Sequence, residues 1–95
     1  MERINVHYLA NNQVVIVFPE KYMFFSYNSQ IGEYNLKEKR LVLSEKWNFS
    51  RTTLKYLSVF FENYDILYGK VSFGAGFKKS VENLIKSGEI TVEKE

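Results

Sequence analysis

The chain has 95 residues, 45% hydrophobic and 25% charged, the balance of a single globular domain over residues 1–95 and not of a disordered chain. Its net charge is only +2, so no strong polyanion-binding field follows from the total. The absence of cysteine excludes a disulfide framework, a thiolate metal site and a cysteine nucleophile.

Two further features bear on location. The N-terminal stretch alternates and lacks the apolar core region of a signal peptide. The longest apolar run, Val14–Pro19, is too short to span a bilayer. A soluble, cytoplasmic protein with no membrane segment is expected.

Ile4, Val6 and Tyr8 alternate with Arg3, Asn5 and His7, the pattern of a half-buried strand with a polar outer face. Ala10 to Gln13 reads as a turn, because Asn tolerates left-handed backbone. Val14 to Phe18 is apolar on both faces and β-branched, which predicts a central strand that ends at Pro19. Tyr22 to Tyr27 is a third strand, with a break at Asn28-Ser29. Gln30 to Leu36 continues as a strand, Lys37 to Arg40 is a charged turn, and Leu41 to Leu43 returns.

The periodicity changes near Trp47. Ser50 suits a helix N-cap, and Leu54, Leu57, Phe61 and Tyr64, flanked by Phe60, form one stripe of a helix over about 51–63. Trp47 and Phe49 are placed to staple its start onto the sheet. Residues 65–73 fit either one strand broken at Gly69 or loop segments. Phe77, Val81, Leu84 and Ile85 predict a second helix over about 77–87, with Gly88 as its C-cap. Ile90 to Val92 can add a short strand. The fold class is therefore α+β: an antiparallel meander of four or five strands with two helices.

Chemistry-bearing groups are sparse. His7 is the only histidine, and on the strand pattern it lies on the solvated face. Without cysteine, one histidine cannot build a zinc site unless several carboxylates join it. No Gly-x-Ser-x-Gly elbow occurs, and no carboxylate pair is fixed by local spacing. No catalytic residue, metal or cofactor is assigned, and an enzyme is not expected. Gly69 to Gly74 has the outer spacing of a phosphate loop, but Ala75-Gly76 stands where Lys-Ser/Thr is required.

Lys70 to Phe77 fails the RNA-recognition strand pattern as well. Lys78 and Lys79, in the first turn of a helix, oppose its dipole; they are either solvated or placed to meet an anion. Aromatics make up 17% of the chain, and Tyr22 and Phe24 cannot share a strand face with Phe25 and Tyr27. Either each helix covers one face of the sheet, or one face leaves rings free to bind. An uncovered sheet face or edge would also allow a homodimer.

The block Phe25-Ser26-Tyr27-Asn28-Ser29-Gln30-Ile31, followed by Trp47-Asn48-Phe49-Ser50-Arg51-Thr52-Thr53-Leu54-Lys55-Tyr56-Leu57, resembles a family of small proteins encoded by phages and mobile elements of low-GC Gram-positive bacteria. Ser26, Tyr27, Ile31, Trp47, Ser50, Thr52, Thr53, Lys55, Tyr56 and Leu57 carry the match, within about Phe24 to Phe61. The resemblance implies an accessory gene product in the cytoplasm of a bacterial host and no particular activity. Some such products bind DNA, and others block host defence proteins such as CRISPR nucleases.

Two functions are thus expected. The first is a non-enzymatic accessory protein that binds a host or phage protein. The alternative is a nucleic-acid-binding module, using a basic patch with exposed aromatics. Tyr27, Trp47, Arg51, Thr52, Lys55, Tyr56, Lys78 and Lys79 are the candidate binding surface. Thr53 is grouped with them as a residue off the helix stripe.

Overall fold

The computed structural model describes residues 3–94. Its elements are β1 (Asn5–Ala10), β2 (Gln13–Val17), β3 (Lys21–Ser26), β4 (Ser29–Asn35), β5 (Arg40–Ser44), α1 (Arg51–Asn63), a 3-10 turn (Gly74–Gly76), α2 (Phe77–Lys86) and β6 (Ile90–Glu93). The α+β class holds. The sheet has six strands in the order β1-β2-β3-β4-β5-β6, one more than the meander predicts.

The first four pairings are antiparallel, as short connections require. Asn12 at φ 64° makes the first turn, and Tyr27 and Asn28, at 51° and 67°, make the β3–β4 hairpin. β6 joins β5 in parallel, after a crossover through both helices. Residues 65–69 form turns, with Asp65 and Leu67 in left-handed backbone, and 70–73 are irregular and contain no strand.

Both helices pack on one face of the sheet. Val15, Phe24, Ile31, Tyr34, Leu41, Leu43 and Ile90 supply the sheet side of the core; Leu57, Phe60, Phe61, Phe77, Val81 and Leu84 supply the helical side. A bulge between Phe24 and Phe25 adds Ile31 to that face beside Gly32. The buried side of α1 is Thr53, Leu57, Phe60 and Phe61, turned slightly from the stripe read in the sequence.

The other face has no cover. It presents Val6 and Tyr8 of β1, Val14 and Ile16 of β2, and Met23 and Phe25 of β3, none of which joins the core. Toward β6 the same face turns polar, with a Lys21–Glu33 ion pair at 3.8 Å and Arg40 donating to Thr91 at 3.2 Å.

This arrangement inverts β1. The pattern predicted Ile4, Val6 and Tyr8 facing inward and His7 outward. Instead His7 lies opposite Val15, on the helix side, and Ile4, Val6 and Tyr8 are 60%, 49% and 75% exposed. Pairing with β2 decides the parity: Val15 must enter the core, and its neighbour across the ladder follows it.

Candidate protein-binding groove

Ser50 takes the N-cap of α1 in extended backbone and accepts the Thr53 N–H at 3.0 Å. The Ser50 hydroxyl also donates to Thr53 Oγ1, and the Ser26 and Thr53 hydroxyls lie 2.9 Å apart in the interior. Thr53 is therefore not on the contact surface. It is the buried link that ties the helix start to β3.

With Thr53 inward, the side of α1 bearing Arg51, Leu54, Lys55 and Ser58 faces the 3-10 turn and the start of α2. Gly74, at φ 77°, lets the chain turn sharply there. Phe77 then enters the core edge-on to Phe61 at 5.1 Å and stacked with Phe73 at 6.1 Å.

Between the two helices lies an open groove of about 520 Å³. Leu54, Val59, Ala75 and Phe77 give it an apolar floor, and Arg51, Lys55 and Lys78 supply three cations. No carboxylate lines it, and among the described residues none of the three cations is in an ion pair. The Lys55 ammonium lies 5.3 Å from the Tyr56 ring centroid. The first turn of α2 carries no acid and no side-chain cap, so the positive end of its dipole adds to the same field.

The structure thus brings together three of the eight candidate residues. Lys79 and Thr52 are exposed but do not line the groove. Tyr56 is half-buried against the core. Tyr27 is an exposed hairpin-turn residue in another part of the fold. Trp47 leaves the contact surface: it is 6% exposed and belongs to the core, the packing place that its second reading, as a staple before α1, gives it. Phe49, expected to staple the helix, is instead 56% exposed.

Sequence reasoning missed Val59 and Ala75, which carry no signal without the helix pairing. Leu54 and Phe77 read as core, and in the fold they serve both core and groove. A second hollow of about 370 Å³ at the other end of α1 carries Glu62, Asp65, Tyr68 and Phe73. Beyond Phe61 and Glu62 of α1, its lining comes from the connection that sequence reasoning left open.

Two phenols are perturbed. Burial, and then the neighbouring Tyr22, push the Tyr34 and Tyr64 hydroxyls above their ordinary value. Among the described residues no cluster of three or more His, Asp or Glu could hold a metal ion. Among the described residues no helix is long and apolar enough to cross a membrane.

No curated protein and no solved structure matches the chain. A family model does match, over residues 4–71, which spans all five strands of the meander, α1 and the turns after it. Arg51 and Lys55 fall inside the matched segment, and Lys78, with α2 and β6, falls outside it. The chain belongs to that family, a family of unknown function designated DUF8033.

Proposed function

We propose that this protein is a non-enzymatic binding module whose groove between α1 and α2 takes an acidic segment of another protein. One observation carries this reading: three unpaired cations stand over an apolar floor with no carboxylate among the lining residues. Such a surface favours a ligand with carboxylates flanking an apolar side chain. The charges steer the encounter, and the floor supplies desolvated contact area. The resemblance to phage and mobile-element proteins suggests the setting, in which the bound protein belongs to a host defence system such as a CRISPR nuclease and the binding inhibits it.

The same three cations favour the second reading, a nucleic-acid-binding module, because phosphates would meet them equally well. The two readings differ in their use of the floor. A protein segment needs it, whereas a phosphate backbone needs only the rim.

The experiment is capture by the tagged protein from host lysate, with and without nuclease and at two salt concentrations. The proteins compared are the wild type, Ala75→Phe, which fills the groove, and Arg51→Glu/Lys55→Glu, which reverses its rim. A discrete protein partner that survives nuclease and is lost in both variants supports the proposal. Nucleic acid as the sole ligand, lost at high salt and retained by Ala75→Phe, overturns it in favour of the second reading.

A further inference from the structure

We propose that the open edge of β1 is a self-association surface, at which two copies of this chain pair their β1 strands antiparallel about a two-fold axis. The inference stands independently of the groove, since no groove residue lies in β1.

The composition of β1 and its surroundings disagree. Its alternation is that of a strand with one buried side, yet the chain buries neither Ile4, Val6 nor Tyr8. Three of the seven exposed large hydrophobics of the described fold fall within these five consecutive residues, which is a patch rather than scatter. The strand has a neighbour on one side only, so alternate N–H and C=O groups point outward along the sheet.

Short of the bulge after Tyr8, β1 lacks the usual edge defences. From Ile4 to Ala10 there is no lysine, no acid and no proline. At the opposite edge, β6 is four residues long, contains Glu93, and is followed by Lys94. The fold guards one edge and leaves the other ready to pair.

The occupant is argued from symmetry. A two-fold interface brings each residue against its own counterpart, so a charged strand would repel itself. β1 carries no such charge. A two-fold axis centred on Val6 sets Ile4 opposite Tyr8 of the second copy, Val6 opposite Val6, and Asn5 opposite His7.

The first two are pairings of β-branched and aromatic side chains on the apolar face, a favourable cross-strand class. The third sets an amide beside an imidazole on the polar face. Regular pairing with β2 runs from Asn5 to Tyr8 before a bulge, and the proposed register uses that stretch together with Ile4, the residue just before the strand. One edge pairing of this length buries less than the roughly 800 Å² per partner of a standard interface, so the association is weak and reversible.

The test combines sedimentation velocity, between about 10 µM and about 1 mM chain, with cysteine cross-linking. The wild type is expected to shift reversibly from the 11.2 kDa chain mass toward twice that mass. Val6→Lys, which sets two ammonium groups on the axis, is expected to abolish the shift. Since Val6 is 49% exposed, the variant should keep the circular dichroism of the wild type. The chain has no cysteine, so Val6→Cys is a clean probe.

Paired Cα atoms in an antiparallel ladder fall within disulfide range, so Val6→Cys should cross-link under mild oxidation while Asn11→Cys, in the turn, does not. A monomer at the highest concentration, a dimer that persists in Val6→Lys, or equal cross-linking of the two cysteine variants would overturn the proposal.

Discussion

The His7 ring nitrogen Nδ1 lies 2.5 Å from the Tyr64 hydroxyl, joining the edge strand to the residue after α1 across 57 positions of chain. The Tyr64 ring also lies 4.9 Å from Tyr22 and 5.7 Å from Phe60. Tyr64→Phe keeps the rings and removes only the hydrogen bond. Because the pair is exposed, the expected cost is about 0.5 kcal/mol, at the low end for such bonds. Urea denaturation should show it, and hydrogen exchange should place the loosening in β1.

The same phenol gives a prediction at alkaline pH. Burial and Tyr22 hold the Tyr34 and Tyr64 hydroxyls protonated beyond the ordinary value of 10.0. A group whose value rises on folding contributes stability that is complete below its unfolded value and is lost as pH climbs through the folded one. Thermal midpoints should therefore fall above pH 10, and Tyr64→Phe should flatten that fall.

At acidic pH the relevant group is Glu89. Its carboxylate pairs with the Lys70 ammonium and accepts from the Ser87 hydroxyl, and these two bonds lower its value below 4.5. The sign is opposite to that of the phenols: the contribution is present above the ordinary carboxylate range and fades as pH falls through the lowered one. The pair is exposed, so the effect is local. Amide protection around Lys70, taken relative to the intrinsic exchange rate at each pH, should fall as acid protonates Glu89, and Glu89→Gln should show the reduced protection already at neutral pH.

Gln13 is completely buried, with neither amide atom hydrogen-bonded. An unsatisfied buried amide costs about 1–3 kcal/mol. Gln13→Met keeps the length and removes that cost. A stabilisation of about 1 kcal/mol is expected, about 5 °C in a domain of this size, and calorimetry would read it. An unchanged or lower midpoint would mean that an interior water already satisfies the amide.

Gly32 sits where the bulged strand meets β5. A Cβ there would come within 3.1 Å of Leu43 Cδ2, tighter than ordinary contact. Gly32→Ala should cost about 1 kcal/mol and Gly32→Val about 2–3 kcal/mol, as overpacking. Equal stability of Gly32→Val and wild type would show that Leu43 gives way freely.

Much of the fold is legible in the residues. The β-branched run Val14–Val17, the Asn-containing turns, the Ser50 cap and the Phe77–Ile85 stripe each state their element locally. The parallel seat of β6 is not legible, because Ile90-Thr91-Val92 says strand without naming a neighbour. The inward turn of His7 is hidden for the same reason, since side-chain parity is set by Val15 across the ladder. The groove was half legible. Arg51, Lys55 and Lys78 were visible as cations, but their convergence depends on how α2 crosses α1. Trp47 was legible in two ways, as a helix anchor and as a contact residue, and its burial in the core fits the first.

The late arrival of β6 has a consequence for synthesis on the ribosome. The meander is made of neighbouring hairpins, and each can close as soon as its strands emerge. The outer edge of β5 stays unpaired until residues 90–93 have been translated and have returned across two helices. A nascent or prematurely terminated chain therefore exposes the edge of β5 in place of the short, acid-bearing edge of β6, and such an uncovered edge favours aggregation. Residues 90–93 thus cover an edge that every earlier strand leaves open, and cells carrying a stop codon before Ile90 should accumulate this protein in inclusion bodies.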